Sequence, residues 1–146
     1  MNAQWVCSGS SLSARRLLTA VRPSLRQVSD TKGCITFATG LLKPDSGRQA
    51  ASYCLCVAVK RQVIIYEINR NKGRHRRLRE ILLPAQPQSV DVLGDGRLAV
   101  GFPSGFTIYS LTGDAHPQSL VHPDSQTLEF LAHNPVDALC CIQLPR

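Results

Sequence analysis

The densest concentration of chemically useful side chains is the stretch NKGRHRRLRE, residues 71 to 80, where Lys72, Arg74, Arg76, Arg77 and Arg79 surround His75. Cations at this density can hold an anionic surface, since a lysine or arginine near acidic lipid contributes about 1 kcal/mol. They can also track a phosphate backbone, but single-stranded nucleic acid needs stacking aromatics among the cations. None stands between Tyr66 and Phe102. The net charge of +7 is unevenly placed: residues 1–32 carry +4, 33–59 carry +1, 60–80 carry +6 and 81–146 carry −4. A uniformly basic nucleic-acid binder is not built this way. An anionic protein or membrane surface therefore stands ahead of nucleic acid as the partner of this run. The plain alternative is a solvated connection between two strands, because Asn69 to Arg77 lies between the apolar runs QVIIYEI and LREILLP.

The remaining constellations do not assemble a catalytic centre. Val57-Ala58-Val59-Lys60 resembles a phosphate-pairing lysine motif, yet the chain has no G-x-G-x-x-G before it and no H-R-D or D-F-G after it. A hairpin-turn lysine is the simpler reading. In Gly101-Phe102-Pro103-Ser104-Gly105 the serine comes three residues after the first glycine, where a nucleophile elbow needs two. Asp114, His116, His122 and Asp124 cluster in TGDAHPQSLVHPDS, but their spacing fits neither a helical pair nor a zinc finger. No metal, cofactor or enzymatic activity is expected. The six cysteines, Cys7, Cys34, Cys54, Cys56, Cys140 and Cys141, contain no C-x-x-C pair. Cys54 and Cys56 alternate in an apolar run, which predicts buried reduced thiols in a reducing, cytoplasmic setting.

The elements that must position these groups are short apolar runs broken by turns. They are CLCVAV (54–59), QVIIYEI (62–68), LREILLP (78–84), SVDVLG (89–94), RLAVGF (97–102), FTIYSL (106–111) and DALCCIQL (137–144). Gly94-Asp95-Gly96 and Pro103-Ser104-Gly105 supply turns. The reading is antiparallel β. A shift of 43 residues lays CVAVKRQVIIYEI (56–68) over AVGFPSGFTIYSL (99–111), each copy being strand, three-residue turn, strand. SVDVL (89–93) echoes PVDAL (135–139) at 46 residues. This is the period of β-propeller blades, about 40–45 residues with four strands each.

The strings CLCVAVKRQVIIYEINRNKGRHRRLREI, LAVGFPSGFTIYSL and LEFLAHNPVDALCCIQL, with DTKGC (30–34), resemble the citron homology domain of the myotonic-dystrophy-kinase-related kinases. The resemblance runs from about Asp30 to the C-terminus. It implies an all-β fold, a WD-repeat-like β-propeller of which about two to three blades are present. It also implies a non-catalytic protein-interaction or targeting module of kinases that regulate the cytoskeleton. The implied partners are proteins, Rho-family GTPases and cytoskeletal proteins among them, at a cytoplasmic site peripheral to membrane or cytoskeleton. Residues 29–146 form the expected partial domain. The expectation is that the faces of CLCVAV and DALCCIQL that would meet further blades lie open, so that the chain is not autonomously stable.

Residues 1–28 form a basic, serine- and arginine-rich extension, with Arg15, Arg16, Arg22 and Arg26 and no acid. Its composition also fits a mitochondrial transit peptide, with a helix over Ser11 to Val21 stopped by Pro23. A small imported basic protein is thus the rival reading from another class.

Overall fold

In the computed structural model of the chain, the described residues are 4–6, 25–28, 30–42, 52–69, 73–121, 124, 126, 129, 130 and 139–144. The strands are β1 (Gln4–Val6), β2 (Leu25–Gln27), β3 (Cys34–Leu42), β4 (Ser52–Val59), β5 (Gln62–Asn69), β6 (Arg74–Leu82), β7 (Ser89–Leu93), β8 (Arg97–Phe102), β9 (Gly105–Ser110) and β10 (Gln118–Ser119). β1 and β2 form a short parallel pair. The others build two antiparallel meanders in chain order, β3-β4-β5-β6 and β7-β8-β9-β10. The all-β expectation holds, and each meander is one four-stranded blade. The proposed helix over Ser11 to Val21 lies outside the described residues.

The 43-residue repeat is a repeat of register. Val57 pairs with Ile64 and Val100 with Thr107; Leu55 pairs with Tyr66 and Leu98 with Tyr109; Val59 pairs with Gln62 and Phe102 with Gly105. Every partner in the second blade is displaced by the same 43 positions. The turns hold two residues, Lys60-Arg61 and Pro103-Ser104, one fewer than the sequence suggests. Their geometry differs because Lys60 adopts φ 53°, a conformation closed to the proline ring of Pro103.

The two blades stack in one sense. Cys56, Ala58, Val63 and Ile65 of the first blade pack against Leu98, Val100 and Tyr109 of the second, joined by Val90, Phe102 and Leu111. The residues of the second blade that face the first are the repeat counterparts of Leu55, Val57 and Tyr66, which in the first blade face the other way, with Val28, Ile64 and Ile68. Equivalent faces therefore meet front to back, as blades do around a propeller. Each fully buried Val, Ile or Leu stabilises by about 1.5–3 kcal/mol, so this interface is the main adhesive of the fold.

Three sequence expectations change. β3 was not among the expected strands: its small residues, Ala38 and Gly40, face the second blade while Phe37 and Leu41 face out. A Cβ on Gly40 would lie 2.8 Å from Val92 Cβ and closer still to Cγ1, so glycine sets how near β3 and β7 can come. DALCCIQL does not form the expected strand over its described part, residues 139–144. There the segment is tied to the second blade by one backbone and one side-chain bond: Cys141 N–H donates to Asp91 Oδ2 at 3.0 Å, and Gln143 Oε1 accepts from Gly94 N–H at 2.7 Å. Finally, CLCVAV is not left open. All six of its residues are buried, with Val28 on one side and the second blade on the other.

Candidate functional site

The basic run is a strand, not a loop. β5 extends to Asn69 and β6 begins at Arg74, the two pairing directly, so Arg74, Arg76, Arg77 and Arg79 lie on the outermost strand of the first blade. The sequence reading failed here because alternating arginines look like solvent-exposed connection, whereas their backbone finds a full ladder partner in the strongly β-forming QVIIYEI. Lys72 lies outside the described residues.

A β-bulge then divides the arginines between two faces. Tyr66 pairs with Arg77 but Ile65 pairs with Arg79, so Leu78 is the extra residue. Arg74, Arg76 and Arg79 lie opposite Asn69, Glu67 and Ile65, the side of the second blade. His75 and Arg77 lie opposite Ile68 and Tyr66 on the other side, where the His75 ring meets Tyr66 edge-on at 5.8 Å.

Most of this positive charge is engaged within the molecule. Arg76 Nη2 lies 2.9 Å from Glu67 Oε2 across the strand pair. Arg77 pairs with Glu80 and, at 3.4 Å, with Asp30 of the turn that leads into β3. Arg79 crosses to the second blade, where its Nη1 donates to the carbonyl of Ser110 at 3.3 Å and to that of Gly113. Exposed ion pairs contribute about 0–1 kcal/mol each, while a charged donor on carbonyls is stronger, about 1.5–3 kcal/mol. Arg79 is thus a clamp between blades, a role the sequence could not signal because Ser110 and Gly113 are more than thirty positions away. Arg74 is exposed and has no ion pair with a described carboxylate.

The other candidate groups are not brought together. Lys60 occupies the β4–β5 turn and Ser104 the β8–β9 turn. Among the described residues no three of His, Cys, Asp and Glu are placed to share a metal ion; His122 is outside them. Cys54 and Cys56 are fully buried free thiols sharing one face of β4. A hydrogen bond from Cys56 lowers the Cys54 pKa, while the same bond and burial push Cys56 well up. Burial and the Asp91 charge raise Cys141. Asp95 is held below the ordinary carboxylate range by its hydrogen bond from Arg97.

Comparison with known proteins decides the family. The CNH domain matches residues 5–146. The chain belongs to the CNH-domain family. It is 42% identical over 118 residues to human serine/threonine-protein kinase MRCK alpha and 46% identical over 118 residues to human MRCK beta, each alignment covering 81% of this chain and 6% of the relative. Drosophila melanogaster serine/threonine-protein kinase Genghis Khan is 37% identical over 123 residues, 81% of this chain and 7% of that protein. The CNH match starts at residue 5 and so runs through the segment that composition sets apart. A CNH domain is a propeller-like, non-catalytic unit, and membership supports a regulatory or interaction role. The two stacked blades are its structural expression in this chain.

Proposed function

We propose that this CNH domain is a targeting and scaffolding module for a cytoskeleton-regulating kinase, acting in the cytoplasm at the periphery of membrane or cytoskeleton. Its partners are proteins, with Rho-family GTPases and cytoskeletal filaments as the first candidates. The observation that carries this reading is the CNH match across residues 5–146, in relatives named as MRCK kinases. The arginine geometry is consistent with it, since Arg76, Arg77 and Arg79 are engaged internally and leave the blade faces as the contact surfaces. The test is calorimetric titration of the folded chain with Rho-family GTPases in the GTP- and GDP-bound states, alongside co-sedimentation with actin filaments. Nucleotide-dependent binding or filament binding supports the proposal. Failure of the folded chain to bind any of them refutes it.

A second reading rests on Arg74, exposed beside Lys72 in sequence. Here Lys72, Arg74, Arg76, Arg77 and Arg79 dock on an anionic membrane. Binding to phosphatidylserine vesicles should then fall as salt shortens the Debye length, and Lys72→Glu with Arg74→Glu should remove it. Vesicle binding indifferent to both changes eliminates the membrane reading.

A further inference from the structure

The face of the first blade that looks away from the second is a stacking face with a strap lying across it. Leu55, Val57, Val59, Tyr66 and Ile68 share that face in one buried cluster. Their counterparts 43 residues on are Leu98, Val100, Phe102, Tyr109 and Leu111, and all five are buried in the contact between the blades. The repeat thus identifies the face by what its copy does, which is to receive another four-stranded sheet.

Among the described residues, the cover on this face is not a sheet but one side chain. Val28 is 1% exposed and joins the cluster. It follows β2, whose ladder partner is β1, in a sheet separate from the blade. The cover is also narrower than a blade. Phe37 pairs with Val57 as Val90 pairs with Val100, yet Phe37 is 57% exposed where Val90 is buried.

The strap is fastened differently from the blades. The carbonyl of Val28 accepts from the fully buried Thr31 hydroxyl at 2.8 Å, and the carbonyl of Thr31 accepts from the Cys34 N–H at 3.1 Å. These bonds shape the strap and its turn into β3; they do not reach β4 or β5. A tie that does cross to the blade is the Asp30–Arg77 ion pair at 3.4 Å, whose side chains are well exposed. Such a pair is weak and screened by salt. Asp30 itself sits at φ 63°, in the left-handed region that is unfavourable for residues other than glycine. The two blades, by contrast, are joined through a cluster of fourteen buried residues. A segment with few buried contacts and an exposed tie opens at lower cost than the core does.

We infer that the strap carrying Val28, Asp30 and Thr31 is a lid on a stacking face. It lifts locally, without separation of the two blades, and lifting uncovers an apolar sheet surface that the closed chain withholds. The contact is autoinhibitory, because Val28 and an incoming sheet occupy the same place on Leu55, Val57 and Tyr66. The occupant the face fits is a sheet with a row of small and branched apolar side chains. Cys56, Ala58, Val63 and Ile65 supply that row to the copy of this face.

The experiment is thiol labelling of the full chain carrying Val28→Cys, read site by site by mass spectrometry. Cys54 and Cys56, fully buried between the blades, report blade separation and unfolding in the same molecule. A lid that lifts locally should let position 28 label at least about tenfold faster than either, after correction for intrinsic thiol reactivity. Adding Arg77→Glu, which sets a carboxylate against Asp30, should quicken position 28 by about fivefold and leave Cys54 and Cys56 unchanged. Arg77→Glu by itself, with Val28 retained, should raise the binding of an apolar fluorescent dye while the far-UV circular dichroism stays that of wild type. Labelling of position 28 in step with Cys54 and Cys56 would show that the strap belongs to the core and would overturn the proposal. An Arg77→Glu chain that quickens all three positions alike, or that binds no more dye than wild type, overturns it equally.

Discussion

Replacing Gly40 by alanine tests the stacking of the blades most directly. A glycine inside a strand ordinarily costs about 0.5–1 kcal/mol relative to alanine, so propensity alone makes Gly40→Ala stabilising. The structure reverses the sign. The new Cβ would stand 2.8 Å from Val92 Cβ and closer to its Cγ1, against an ordinary carbon contact of about 3.5–4.0 Å. β3 and β7 must therefore separate by roughly 1 Å, a gap that forfeits a quarter to a half of the dispersion at each contact it opens. Overpacking of this kind costs about 1–3 kcal/mol, occasionally more. Taking about 3 kcal/mol at about 4 °C per kcal/mol for a chain of this size gives a fall in Tm of about 12 °C. Val92→Ala removes the nearer clash and leaves the Cβ contact, so the double variant should be more stable than Gly40→Ala alone although each single change destabilises. The assay is thermal unfolding of the four chains as a double-mutant cycle. Additive costs, or a Gly40→Ala protein more stable than wild type, would show that β3 and β7 are not in this register.

Arg79→Met should remove the clamp on Ser110 and Gly113, costing about 2 kcal/mol, and hydrogen exchange should quicken first around residues 110–113; uniform quickening would deny a local clamp. The Asp95 carboxylate has a folded pKa below its unfolded value because of Arg97, so its contribution is present above about pH 4 and is lost as pH falls through the depressed value. Asp95→Asn should therefore lower stability near neutrality by no more than about 1 kcal/mol and leave it unchanged in strong acid, as measured by denaturant unfolding across pH. A thiol reagent at neutral pH should label exposed Cys140 first, Cys141 more slowly, and buried Cys54 and Cys56 only on unfolding. Asp91→Ala should accelerate Cys141 by releasing its backbone hydrogen bond.

The sequence made the central strands legible because they are covered on both faces. CLCVAV and QVIIYEI are apolar at consecutive positions, and the register of their hairpin is repeated 43 residues later. It concealed β3 because the usual relation between size and burial is inverted there. CITFATGLL alternates as a strand should, but Ala38 and Gly40 face the core side while Phe37 and Leu41 face out. A glycine in a strand signals close backbone approach as readily as it signals a turn. Only the neighbouring blade distinguishes the two meanings. The opposite failure occurs at DALCCIQL, whose composition favours a strand, while a strand also needs a ladder partner. Residues 139–144 are instead held by isolated backbone-to-side-chain bonds, the Cys141 N–H donating to Asp91 Oδ2 and the Gln143 Oε1 accepting from the Gly94 N–H.

The arginines show why a charge run in sequence is a poor map of charge in space. Five cations in eight positions read as one patch, yet the bulge at Leu78 sends Arg77 to one face of the sheet and Arg79 to the other. Two arginines then find carboxylates, at Glu67 for one and at Asp30 and Glu80 for the other, and Arg79 finds two carbonyls of the second blade. Of these only Glu80 is visible from 71 to 80 alone; the bulge and the partners Glu67, Asp30, Ser110 and Gly113 are not. An arrangement of this kind also protects the blade: a nine-residue outer strand is a template for edge-to-edge pairing, and charged side chains with a bulge are the devices that blunt it. The outer edge of β6 is thus built to resist strand addition, and the apolar stripe of β3 at the opposite edge of the same sheet is not. A partner that recognises this CNH domain by apolar contact should meet the β3 edge first, and Phe37→Asp should weaken its binding more than Arg76→Glu does.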